Sequence, residues 1–172
     1  HLGDQPEYLP TRQGFDYYFG IPYSNDMGPA EDGSNSSLGE PIRPRKEIAY
    51  LPGEGLEIGV KGNPQPPLPL LENEKVVERV RALDQTTLTK RYTQKATQFI
   101  RQHRDGPFFL YLAHTAVHFP FYPGEAFQGK SRNGNYGDWV EEMDWSVGQI
   151  LDTLRELSLD RHTLVVFTSD NG

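Results

Sequence analysis

The chain has 172 residues, 35% of them hydrophobic, and carries 24 acids against 17 bases for a net charge of -7. That is long enough for one domain with a real core, and the acidic balance without a basic stripe argues against nucleic acid or an anionic membrane as partner. No run of about 18 apolar residues occurs, so no transmembrane helix is predicted, and the absence of cysteine excludes a disulfide within these residues.

The chain opens on His1 without an initiator Met and stops at Gly172 directly after an apolar run, so both ends read as cuts within a longer protein. Residues 1 to 21 carry a tight aromatic group, Phe15, Tyr17, Tyr18 and Phe19, behind Gly14. Such a group packs a surface loop onto a core. From Pro22 to Pro69 lie nine of the fourteen prolines, with glycines at 28, 33, 39, 53, 55, 59 and 62, and no helical period survives. Residues 22–69 therefore read as one long Pro/Gly-rich loop, a length that usually serves function. Short strands are expected near Ile48–Leu51 and Val76–Val80.

Regular structure begins after residue 84. Thr86 or Thr87 can cap a helix that places Leu88, Tyr92, Ala96, Phe99, Ile100 and His103 on one face. Asp105-Gly106-Pro107 should end it with a left-handed cap and a helix-breaking proline. The run Phe108–Ala113 suits a strand buried on both faces. A second helix is predicted over about Tyr136–Leu157, with Val140, Met143, Val147, Ile150, Leu151, Leu154 and Leu157 at helical spacing. Leu164–Thr168 reads as another short buried strand. Helix, strand, helix, strand over 84–172 predicts an α/β fold, a mostly parallel sheet flanked by helices. The whole of 1–172 then forms part of a single domain.

In such sheets ligands gather at the carboxyl ends of the strands. Here those ends carry His114 to Pro120 and Ser169 to Gly172. Asp170 and Asn171 offer adjacent hard oxygen ligands, with Gly172 allowing a sharp turn, and calcium or magnesium is the natural guest. The same three residue types also make an ordinary turn. His118 is held in a loop by the extended bias that Pro120 imposes on Phe119, where a histidine can donate a proton or bind an anion. Either His118 or His114 could equally be a hydrogen-bonded structural residue, and His114 is the weaker candidate. Asp144 reads as the polar edge of its helix, His103 and His162 as helix-end and loop residues, and Arg43, Arg45 and Lys46 as solvated surface.

Several pieces, in this order, resemble the sulfatase family. His1-Leu2-Gly3 is similar to the end of its Gly-Lys-Trp-His-Leu-Gly segment, and Gly14-Phe15-Asp16 with Phe19-Gly20 resembles the family's Gly-Phe-Asp and Phe-Gly further along. Pro107-Phe108-Phe109-Leu110-Tyr111 with His118-Phe119-Pro120 resembles the strand carrying the family's substrate histidine. Tyr136-Gly137-Asp138 through Gly148-Gln149-Ile150-Leu151 is similar to its next helix, and Thr168-Ser169-Asp170-Asn171-Gly172 to its calcium-binding strand end. The likeness is greatest to the arylsulfatase A and N-acetylgalactosamine-6-sulfatase kind, within the alkaline-phosphatase superfamily.

The resemblance implies a sulfuric ester hydrolase acting on a small aryl or sugar sulfate. One calcium ion would be held in part by Asp170 and Asn171. His118 would contact the sulfate ester and protonate the leaving oxygen, and His1 would hydrogen-bond a formylglycine nucleophile. That formylglycine would come from an upstream Cys- or Ser-x-Pro-x-Arg segment outside these residues, so the segment alone is not expected to be active. A secreted, periplasmic or lysosomal setting is implied as well. Two alternatives stand beside it: a phosphodiesterase or phosphonate hydrolase of the same superfamily, and a degenerate member that only binds sulfated glycans. The first commonly carries Asp-His-Gly where this chain has Asp170-Asn171-Gly172, and histidine suits a transition-metal pair better than calcium.

Overall fold

A computed structural model describes residues 4–29 and 67–170. Most of the 22–69 loop, the strand expected near Ile48–Leu51 and the basic cluster at Arg43, Arg45 and Lys46 therefore lie outside the described residues.

Two short 3-10 turns, Pro6–Tyr8 and Pro10–Arg12, lead into a three-stranded antiparallel sheet. Its strands are β1 (Phe19–Gly20), β2 (Leu68–Glu72) and β3 (Lys75–Val80), in the order β1-β2-β3. The strand expected near Val76–Val80 is β3. Its partner β2 was hidden in the sequence by the surrounding prolines. Pro69 pairs with Arg79 of β3 at a position beyond the reach of β1, which meets only Leu71 and Glu72. A residue lacking an N–H is tolerated in a strand where one side has no neighbour. The β2–β3 turn uses Asn73 at φ 55, and its Oδ1 accepts from Tyr18 N while its own N–H reaches Tyr18 O at 2.7 Å.

The predicted helices form as α1 (Leu88–Gln102) and α2 (Gly134–Glu156). The capping detail differs. A 3-10 turn, Leu83–Thr87, runs straight into α1, so Thr86 and Thr87 turn their hydroxyls back onto the carbonyls of Leu83 and Asp84 instead of capping. Gly106 is also absent from the positive-φ glycines, which are Gly14, Gly129 and Gly134. The helix ends through His103, whose N–H still reaches Phe99 O.

Ile21, Leu68, Leu70, Val80, Leu88 and Tyr92 form the core between sheet and α1, with Phe19, Tyr23 and Leu112 packed on its edge. On α2 the predicted apolar stripe is only half covered: Leu154 is buried, but Val140, Met143, Val147, Ile150 and Leu151 are intermediate. Also buried on α2 are Asp138, Trp139, Glu142, Ser146 and Thr153, off the predicted stripe. Trp139 Nε1 donates to Thr89 at 3.1 Å, and Ser146 meets Thr93 at 2.6 Å, so polar contacts join the two helices.

The expected parallel sheet is not seen among the described residues. The described residues form one antiparallel sheet, and the runs 108–113 and 164–168 join no strand ladder among them. Phe108, Leu110, Leu112 and His114 are partly covered, while Phe109 and Tyr111 are 75% and 72% exposed. This is the period-2 alternation of a strand with one face packed, not two. Leu164, Val166 and Phe167 are exposed as well. A run becomes a strand only when another backbone lies beside it to take its N–H and C=O groups, and no described segment does so here.

Candidate active site

The segment 114–120 leaves the first apolar run as a turn, closed by His118 N–H on Thr115 O at 2.9 Å. The His118 ring is exposed, and its Nδ1 lies 2.7 Å from Phe119 O. A carbonyl oxygen only accepts, so Nδ1 carries the hydrogen, and Nε2 is the nitrogen left without a partner among the described residues. Beneath the turn, Phe119 and Phe121 meet edge to face at 5.2 Å, and Phe121 leans on Trp139 of α2.

Two anchors hold this turn. At its start, His114 Nε2 lies 3.3 Å from Ser146 Oγ. Thr93 donates to the carbonyl of Thr89, which obliges Ser146 to donate to Thr93 and His114 to donate to Ser146. The chain therefore runs one way, and His114 carries its hydrogen on Nε2. Burial pushes its pKa down to about 4, so it is neutral near pH 7, and its Nδ1 has no partner among the described residues. That is the behaviour of a structural histidine. At the other end, the carboxamide of Asn25 donates to the carbonyls of His118 and Pro120, each at 3.3 Å.

Asn25 escapes a reading of the sequence because it lies 93 residues from His118, at the start of the Pro/Gly-rich stretch 22–69. The Asn-Asp pair at 25–26 reads there as an ordinary turn.

Two other acids near the turn are buried. Asp138 accepts backbone N–H bonds from Gly129, Lys130 and Ser131, and those bonds, led by Ser131, hold its carboxyl below the usual range. Glu142 accepts one, from Gly124 at 2.7 Å, and burial raises its pKa.

Asp170 is exposed at the end of the second apolar run, while His1 and Asn171 lie outside the described residues. Asp144, His103 and His162 are exposed, in line with a surface reading, and the His103 ring stacks on Phe99 at 4.1 Å. Among the described residues no three His, Cys, Asp or Glu side chains converge in a way that could hold a metal. Asp170 offers the right hard-oxygen chemistry for calcium, but calcium takes six to eight oxygens. A calcium site at Asp170 would need oxygens from beyond the described residues.

Residues 3–172 match the family model described as Sulfatase. The chain is 38% identical to the N-acetylgalactosamine-6-sulfatase of Mus musculus over its whole length, which is 29% of that protein. It is 37% identical to the arylsulfatase A of Bos taurus, again over the whole chain and 31% of the relative. Among solved structures, one concerned with glycosaminoglycan metabolism by Bacteroides thetaiotaomicron superposes with TM-score 0.56 at 26% identity, covering 88% of this chain and 35% of that one. The chain thus spans under a third of the length of the curated relatives it matches. With the family's pattern matched from residue 3 to the last residue, the chain belongs to the sulfatase family.

Proposed function

We propose that the protein of which these residues are part is a sulfuric ester hydrolase, with His118 as the proton donor to the leaving oxygen. The observation that carries this reading is the imidazole itself: exposed, its Nδ1 committed to Phe119 O, and its Nε2 without a partner among the described residues. In the imidazolium form, Nε2–H gives its proton to the ester oxygen as the sulfur–oxygen bond breaks, so the alcohol leaves neutral. The Nδ1–H bond to Phe119 O fixes the plane of the ring and leaves Nε2 as the outward nitrogen.

The remaining assignments rest on family membership. Asp170 and Asn171 would supply two of the oxygen ligands of one calcium ion, which when bound draws charge from sulfate oxygens. A formylglycine, formed from a Cys or Ser outside residues 1–172, would supply the attacking oxygen. His1 would hydrogen-bond to it. The runs 108–113 and 164–168 would then be neighbouring strands of a larger parallel sheet, bringing His118 and Asp170 to the same edge. Their exposed apolar faces, Phe109, Tyr111, Val166 and Phe167, support that arrangement, because such patches mark surfaces made to be covered. The substrate would be a small aryl or sugar sulfate.

The test is His118→Ala in the full-length protein, assayed on sulfate esters of graded leaving-group acidity. Turnover of poor leaving groups should fall by roughly 10²–10⁴-fold, the usual contribution of a general acid, and turnover of an acidic phenol sulfate far less. Equal losses on both would remove His118 from the acid role. Hydrolysis of phosphate diesters in preference to sulfate esters would instead favour the phosphodiesterase alternative.

A further inference from the structure

We infer that Asn25 is a positioning residue for His118, its buried carboxamide holding the two carbonyls that bracket the 118–120 turn. The inference rests on the reading of His118 as proton donor and adds the residue that sets where its ring is presented.

Asn25 is 1% exposed, yet it lies on the loop that leaves β1. Both hydrogens of its Nδ2 are used, one on His118 O and one on Pro120 O, each at 3.3 Å. Reversing the amide would set its oxygen against two carbonyl oxygens, so its orientation is fixed. Its backbone is held in turn, because Gln85 Nε2 donates to Asn25 O at 3.0 Å. Gln85 is also 1% exposed and lies in the 3-10 turn that enters α1. A three-part tie therefore connects the root of α1 to the His118 turn.

Asn25 Oδ1 and Gln85 Oε1 are buried without a partner among the described residues. Unpaired buried acceptors are costly, and an apolar pair at the two positions would avoid them. Both amides here have only their donor ends in use among the described residues. Donors at this place answer one need, the free carbonyls of a turn that belongs to no strand or helix.

The route from Asn25 to the imidazole is short. The His118 ring is bonded through Nδ1 to Phe119 O, the carbonyl lying between the two that Asn25 grips. Moving the peptide planes of 118–120 therefore swings the acceptor that orients the ring. A displacement of about 1 Å at a reacting group can cost roughly 10²-fold in rate.

The experiment uses the full-length protein with Asn25→Ala, His118→Ala and the double variant. Each is assayed on a sulfate ester with a poor leaving group and on one with an acidic phenol. Asn25→Ala is expected to lower kcat on the poor leaving group by roughly 10²-fold, to change KM little, and to spare most turnover of the phenol ester. Added to His118→Ala, it should cost nothing further. Equal loss on both esters, or full additivity with His118→Ala, would make Asn25 a structural residue and overturn the inference. Should Asn25→Ala fail to fold, Gln85→Leu decides: a smaller loss with the same leaving-group selectivity supports the tie, and an unselective loss or none overturns it. If His118→Ala itself lacks selectivity, the proton-donor reading falls and takes this one with it. If His118→Ala is selective and Asn25→Ala is not, only the positioning role falls.

Discussion

Asp138 and Glu142 stand one turn apart on α2, both buried, and their surroundings drive the two carboxyls in opposite directions. Asp138 gathers three backbone N–H groups from the 129–131 loop, which stabilise its charge. Glu142 has one such bond against a desolvation that outweighs it.

Their pH signatures should therefore oppose each other. The folded pKa of Asp138 lies below its unfolded value, so its contribution is present above the unfolded value and is lost as pH falls through the folded one. Asp138→Asn should be less stable than the wild type near pH 7, and the gap should close in acid. The folded pKa of Glu142 lies above its unfolded value, so the folded state binds the extra proton and stability declines as pH rises between the two. Glu142→Gln should flatten that decline. Denaturant unfolding from pH 3 to 8 measures both, and parallel curves for the two variants would contradict the assignment.

Gly137 should tolerate no side chain. A Cβ there would collide with Ser131 Oγ and come within 2.8 Å of the Cβ atoms of Ser131 and Asn133. The neighbours cannot give way cheaply, because Ser131 N–H is tied to Asp138 and Asn133 N–H to Ser131 Oγ. Gly137→Ala is expected to cost about 1–3 kcal/mol, the range for overpacking, against almost nothing for Gly148→Ala, where the added carbon meets no atom within 4 Å. Thermal unfolding of the two variants makes the comparison. Similar shifts for both would show that the loop yields.

Asp170→Ala in the full-length protein should abolish calcium-dependent turnover and weaken calcium binding measured directly by titration. Loss of one carboxylate removes a formal charge as well as a ligand. Unchanged calcium affinity with activity retained would exclude Asp170 from the metal site.

The helices and β3 were legible because their signals are local. Leu88, Tyr92, Ala96 and Ile100 repeat at helical spacing, and all four are buried. The α2 stripe is helical as its spacing predicts, but only Leu154 of it is fully buried. Trp139, Glu142 and Ser146, off the stripe, are buried too and pair with threonines of α1 and with Gly124 rather than with aliphatic groups. Polar residues buried as hydrogen-bonded pairs leave no hydrophobic trace in a sequence. Strand β2 was missed for a related reason, since Pro67 and Pro69 mimic a loop until a one-sided strand is available to hold them. At the site, His118 was visible because Pro120 fixes its neighbour. Asn25 was not, because the need it meets exists only once two distant turns have come together.

The bare outer face of 108–113 has a consequence for how the chain is made. Phe109 and Tyr111 leave the ribosome about 55 residues before Val166 and Phe167, an interval of roughly 3–11 s at ordinary rates of synthesis. Throughout that time the run, though its inner side packs on the core, has no ladder partner for its backbone N–H and C=O groups among the described residues. Nascent chains of this kind are natural clients of chaperones. If 164–168 is its partner, as proposed above, yield in a cell would depend on how quickly that run arrives as well as on the final stability.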